Sequence, residues 1–173
     1  MRFVGDGMKK VKLGDVCSKA SSNYAQKDLE HLDGKYPIYG ASGLIKYIDT
    51  YHQDKEYIAV VKDGAGIGRT LFLPAKSSII GTLQYLLPKG EIQTKYLYYA
   101  VKNMHLYKYY TGATIPHIYF KDYQKEEFFL PDKNKQIEIV EILDNIENII
   151  EERKLQLELL DNLIKARFVE MFG

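Results

Sequence analysis

Gly64, Gly66 and Gly68 follow the apolar run Tyr57–Val61 and stand between Lys62 and Arg69. Glycines at alternate positions either turn a hairpin tightly or let bare backbone approach a ligand closely. A dinucleotide-binding loop needs its third glycine three residues after the second, followed by a helix and then an acidic residue. Here the interval is two and a strand pattern follows. A phosphate loop ends in Gly-Lys-Ser/Thr, which is absent. Of the four histidines, His31, His52, His105 and His117, none stands at metal-ligand spacing from another histidine, the cysteine or a close carboxylate. No metal site is expected. His117 closes the loop Thr-Gly-Ala-Thr-Ile-Pro-His, where it is either a hydrogen-bond donor to a ligand or a satisfied loop residue. Cys17 has no nearby base and reads as a small buried residue. No Gly-x-Ser-x-Gly is present, and the pair Glu126-Glu127 sits in a charged, solvated stretch. No catalytic residue is named, no enzyme activity is expected and no cofactor is implied.

The elements that carry these residues are mostly strands. Residues 1–7 read as an irregular leader that need not be native, with Met8 an alternative start. Val11–Val16 alternates apolar and polar residues. Residues 35–48 place two short β-prone runs about a turn at Gly40–Gly43. Tyr57–Val61 is apolar throughout and of strand length, as a strand buried on both faces is. Arg69–Pro74 reads as its hairpin partner, and Ser78–Pro88 as one long strand ended by proline. Over 94–110 the period changes: Leu97, Ala100, Val101 and Met104 share one face of a helix, with Thr94 as its N-cap. An irregular loop follows Gly112, then a short strand at Phe128–Leu130. The class predicted is α+β.

From Lys133 to Met171 there is neither glycine nor proline, and one long helix is expected, capped by Asp132 or Asn134. The domains predicted are therefore 1–131, strand-rich, and 132–173, helical. A heptad frame places Gln136, Leu143, Ile150, Leu157, Ile164 and Met171 at a, and Ile139, Ile146, Arg153, Leu160 and Arg167 at d. The helix would span roughly 55 Å at about 1.5 Å per residue. A domain of this size has a radius of gyration of roughly 14 Å. Its apolar seam (Ile139, Leu143, Ile146, Ile150, Leu157, Leu160 and Ile164) therefore wants a partner helix rather than its own domain.

The whole chain of 173 residues carries a formal charge of only +1, with 46% hydrophobic and 27% charged residues. That balance excludes a wholly disordered chain. A single cysteine excludes an intramolecular disulfide framework and a cysteine-based zinc site. No apolar run is long enough to span a membrane, no signal peptide is evident, and a cytoplasmic setting is expected. The near-zero charge hides a split. Residues 1–130 hold 18 Lys and Arg against 13 Asp and Glu, a net of +5. Residues 131–173 hold 6 against 10, a net of −4. The first part is thus mildly basic and rich in tyrosine. Tyrosine can hydrogen-bond phosphates or stack on bases.

Several segments, in order, resemble one family: Val11–Val16, Tyr36–Gly40, Val61–Gly68, Thr111–Ile118, Phe129–Pro131, Gln136–Asp144 and the helix to Phe172-Gly173. The chain resembles the DNA-specificity (S) subunit of type I restriction–modification systems from about Lys10 to its end. The resemblance implies a target recognition domain that reads one half of a split site in double-stranded DNA, followed by a spacer helix that pairs antiparallel. It implies one repeat of a subunit that usually carries two. The chain would then be a natural half-subunit acting as a homodimer, or a piece that pairs with a second half. It also implies no catalytic centre. Adenine methylation with S-adenosylmethionine belongs to a separate modification (methyltransferase) subunit, and cleavage and translocation to a restriction subunit. Both are implied partners.

The resemblance further points to the two loops as the surface near DNA: Gly64 and Gly66 on one, and Thr111, Thr114 and His117 on the other. Arg69 is the candidate for forking onto a guanine and Gln84 for pairing an adenine. Lys46, Tyr47 and Lys62 are the phosphate candidates. The competing reading is a helical dimerisation module carrying a small ligand-binding domain with no nucleic-acid role.

Overall fold

The structure is a computed structural model and describes residues 8–173; the leader at residues 1–7 lies outside the described residues. Among the described residues, nine strands and four α-helices follow one another. The first are β1 (Lys9–Lys12), α1 (Leu13–Val16), β2 (Cys17–Ser21), β3 (Tyr36–Gly40), β4 (Gly43–Ile48), β5 (Tyr57–Val61) and β6 (Thr70–Leu73). After them come β7 (Ser78–Ile79), β8 (Leu83–Pro88), α2 (Thr94–Asn103), α3 (Phe120–Tyr123), β9 (Glu127–Leu130) and α4 (Lys133–Phe172). The class is α+β, as expected. The chain divides into two compact units, with the boundary between Gln136 and Ile137.

The strand-rich unit is built around one antiparallel sheet in the order β2-β8-β5-β6. A second sheet runs β4-β3-β7, and β1 pairs with β9. The central strand β5 explains the arrangement. All five of its residues are buried, and they alternate between two cores. Ile58 and Val60 face one core with Leu86, Leu97, Val101, Leu106 and Tyr123. Tyr57, Ala59 and Val61 face the other with Ile38, Ile48, Ile79, Leu83 and Tyr85. A strand with both faces covered reads as a continuous apolar run rather than an alternation.

The structure corrects five local expectations. The run Ser78–Pro88 is two strands. Ser78 and Ile79 pair in parallel with Ile38 and Tyr39, while Leu83–Pro88 pairs with β5 and β2. Between them the chain turns, with the Leu83 N–H on Ile80 O at 3.0 Å. The second half of Val11–Val16 is a helical turn, and Cys17–Ser21 is a strand that went unforeseen. The helix begun at Thr94 stops at Asn103, because His105 sits in the left-handed region at φ 49°; a 3₁₀ turn, Leu106–Tyr109, follows. Its cap is not Thr94. Gln93 holds that place, and its N–H donates to Oε1 of Gln136, 2.8 Å away. The same Gln136 side chain is buried and donates from Nε2 to Pro131 O at 3.0 Å. Gln136 is therefore a buried clamp, not the first seam residue of the heptad frame.

The helix α4 starts as foreseen, with Asp132 Oδ1 accepting the Lys135 N–H at 3.0 Å. Of the expected seam, Ile146, Ile150, Leu157, Leu160 and Ile164 are exposed, while Ile139 and Leu143 are half-buried. Every residue from Glu151 onward is exposed. Arg153 and Arg167, the polar d positions, bond within the helix to Gln156 at 2.7 Å and Glu170 at 2.5 Å. A second apolar row, Leu155, Leu159 and Leu163, is equally exposed. At about 100° per residue it lies roughly 160° around the helix from Leu157. No helix among the described residues is long and apolar enough to cross a membrane.

Candidate nucleic-acid interface

The three glycines turn the β5–β6 hairpin. Val61 N–H bonds Arg69 O at 2.9 Å, Gly68 N–H bonds Val61 O at 2.8 Å, and Arg69 N–H bonds Gly66 O at 3.0 Å. All three glycines lie at φ near +80° (82°, 84° and 80°), where L side chains are strained. Gly68 has a second reason to be glycine. A Cβ there would stand 2.6 Å from the Tyr107 nitrogen, so the turn packs directly on the 3₁₀ backbone. The hairpin reading holds: the turn is tight, and the close approach at Gly68 is to the chain's own backbone.

The loop Thr111–His117 is closed by its own backbone. Thr111 N–H bonds His117 O at 2.9 Å, His117 N–H bonds Thr111 O at 2.8 Å, and Thr111 Oγ1 donates to His117 O at 3.1 Å. The Gly64 N–H on Pro116 O at 3.0 Å and the Ile118 N–H on Lys62 O at 3.0 Å tie it to the glycine turn. The two loops named from the sequence are therefore one continuous, hydrogen-bonded surface. Thr114 and Ile115 stand exposed at its tip.

A carboxylate that the sequence reading passed over lies at the centre. Asp63 takes Lys62 Nζ on one oxygen and, at 2.7 Å, His117 Nδ1 on the other. Lys62 is therefore a partnered cation, with its charge answered by its neighbour. His117 is pre-oriented: its Nδ1–H is donated to Asp63, which fixes the ring and its tautomer. Arg69 is exposed, and its Nη1 donates to Ala41 O at 2.8 Å, linking the turn to the β3–β4 hairpin. The guanidinium has five donors, so the rest remain available.

Two other residues named from the sequence are placed differently. Gln84 is buried on β8, and Tyr123 Oη donates to its Oε1 at 3.3 Å. A side chain in the core cannot reach a base edge, so the adenine role expected of Gln84 is withdrawn. Lys46 spends its ammonium on Leu29 O at 3.0 Å and on Asp33 at 3.4 Å, and serves as a clamp under its hairpin. Tyr47 on the same strand is half exposed.

Sequence reasoning missed an aromatic surface beside the loops. Tyr107 and Tyr110 are exposed and stack on each other, with ring centroids 5.9 Å apart and 18° between planes. Tyr119 is exposed, stacks beside His117 and carries Lys121 over its ring at 5.4 Å. The run of tyrosines was visible in the sequence; which of them stay outside was not. Beyond the hairpin, residues 23–26, 40–45 and 80–82 line a cleft of about 490 Å³.

Burial pushes the Cys17 thiol up to about 12, and its Sγ–H donates to Leu13 O at 3.2 Å. A thiol held protonated is no nucleophile at neutral pH. Glu126 is held below the usual carboxylate range by hydrogen bonds from Lys108 and Tyr109. No group of three or more potential metal ligands exists among the described residues.

A family model described as the type I restriction modification DNA specificity domain matches residues 5–159. No curated protein matches the chain in sequence. Among solved structures, the type I restriction-modification system S subunit from M. genitalium superimposes with a TM-score of 0.71 at 20% identity, covering 88% of this chain and 42% of that one. A chain from a study of complex assembly and conformational transition in the type I R-M system gives 0.67 at 19% identity, with 87% and 40% covered. The HsdS subunit from Thermoanaerobacter tengcongensis gives 0.63 at 18%, again with 87% and 40%. The chain spans about two fifths of the length of each. At these identities the likeness is one of fold.

Proposed function

This chain belongs to the type I restriction modification DNA specificity family, and on that premise we propose that it is a DNA-reading module that performs no chemistry of its own. The strand-rich unit reads one half of a split site in double-stranded DNA, and residues 132–173 serve as the spacer. The observation that carries this reading is the family match over residues 5–159, which runs from the strand-rich unit well into α4. The fused loop surface supports it. Rigid loops bearing hydrogen-bonding groups and flat aromatics on a basic unit suit phosphate positioning and base contact.

The helix supports the rest. Its seam pairs antiparallel with a second copy of the chain or with the helix of a second half. Such a pair covers one face only. The second row, Leu155, Leu159 and Leu163, is left for a further helix, and is the face offered to the modification subunit, with the restriction subunit joining the same assembly. Two copies related by a two-fold axis would read an interrupted palindrome, with half-site spacing set by the helix.

A mobility-shift titration of duplex DNA across salt tests the reading. Affinity should fall steeply and linearly in the logarithm of salt concentration. Affinity indifferent to salt, or no binding at any salt, overturns it. Sedimentation at micromolar concentration tests the pairing of two copies, and a clean monomer overturns that part.

A further inference from the structure

The loop Thr111–His117 carries an apolar tip that its own hydrogen bonding does not require. Ile115 is 55% exposed and is followed by Pro116, while Ala113 and Thr114 beside it are exposed as well. The base is rigid: the two ends exchange both backbone hydrogen bonds, and Pro116 O is held by the Gly64 N–H. The turn behind the tip is drawn so tight that a Cβ on Gly112 would lie 2.3 Å from Ile115 O. The tip therefore cannot fold back to bury Ile115 without breaking the closure. An exposed, β-branched side chain on a stiff projection, with Tyr107 of the 3₁₀ turn stacked on Tyr110 just before the loop, has the form of a wedge.

Resting on the DNA-reading proposal above, we propose that Ile115 enters the base stack at a single step of the bound duplex and unstacks it. Aliphatic side chains between base steps part the stack, at a cost offset by the additional contact that follows. Rigidity matters here. A floppy loop would lose on ordering what it gained on insertion, whereas this one is already ordered by its closure.

The test uses the whole chain and a duplex enriched from a random library by the chain itself, with 2-aminopurine placed in turn at each step. Binding should raise fluorescence at one step only. Ile115→Asn should abolish the rise and weaken binding by about tenfold. Ile115→Leu should keep both. Ile115 is exposed, so both variants should retain the far-ultraviolet circular dichroism of the parent. A duplex that stays dark at every step while Ile115→Asn binds as well as the parent overturns the wedge. So does a loss on replacing one thymine by uracil that disappears in Ile115→Asn, because Ile115 would then touch a thymine methyl in an intact stack. Failure of the parent chain to bind any duplex overturns the DNA reading itself, and the wedge with it.

Discussion

The strand-rich unit and the C-terminal helix handle their apolar residues in opposite ways. In the first, β5 sends alternate side chains into two cores and leaves none of its five residues accessible. In the second, Leu157, Leu160, Ile164 and Phe168 are all more than half exposed, and so is the row Leu155, Leu159, Leu163. Apolar surface in water costs about 25 cal/mol per Å². The first unit meets that cost internally; the helix can meet it only with another molecule or another segment. Under the proposed pairing of the helix, the contrast separates positions expected to matter to folding from positions expected to matter to assembly, and each can be perturbed without the other.

The largest expected effect is in the core. Leu86→Ala, at a fully buried site on β8, should destabilise the strand-rich unit by about 2–5 kcal/mol in a denaturant titration. The matching Leu157→Ala should leave that transition unmoved and weaken self-association instead. Equal losses of folding stability from both would break the comparison. Next comes Gly68→Ala, which puts a Cβ against the Tyr107 backbone in the left-handed region. It should cost about 2–3 kcal/mol in the same titration. Gly64→Ala, with no atom within 4 Å of its Cβ, should cost only about 1 kcal/mol.

Arg69→Ala tests the surface rather than the core. It should weaken DNA binding by roughly 1–3 kcal/mol and relax preference at one base position. An unchanged preference in a competition assay would assign Arg69 to the Ala41 contact alone. The last expected effect is alkaline. Cys17 is raised by burial to about 12, so the folded state keeps a proton that the unfolded chain releases near pH 9. Stability is then full below pH 9 and falls as pH rises toward 12, by up to about 1.4 kcal/mol per pH unit for one such group. Tyr57 and Tyr123, also raised by burial, add to the fall above pH 10. Denaturant midpoints in Cys17→Ala across pH 8–10 should show a flatter slope.

What was legible in the sequence was whatever depends on neighbours along the chain. The hairpin about Gly40–Gly43, the apolar run of β5, the glycine turn and the uninterrupted helix could all be read because a turn, a period or a missing breaker is local. What was not legible depends on partners far away. Ser78–Pro88 has the composition of one strand, and only the parallel pairing of Ser78 and Ile79 with β3 divides it. Gln136 looks like a heptad position until Gln93, 43 residues earlier, is seen to need an acceptor. The candidate surface shows the same limit. The two loops named as segments proved to be hydrogen-bonded to each other. The side chains chosen on and around them fared unevenly. Lys62 is answered by Asp63, Lys46 by Leu29 O and Asp33, and Gln84 by burial. Apart from the Lys62–Asp63 pair, which is adjacent in sequence, charge and burial here are settled by tertiary neighbours, which residue type does not announce.

One measurement reaches the central claim most directly. The purified chain is used to select duplexes from a random library, and the bound pool is sequenced over successive rounds at physiological salt. The expected result is enrichment of a split motif whose fixed halves are separated by a constant gap, with Arg69→Ala altering one position within a half. A pool that remains random through every round, while the chain is folded and paired, would contradict the assignment of the strand-rich unit to DNA reading.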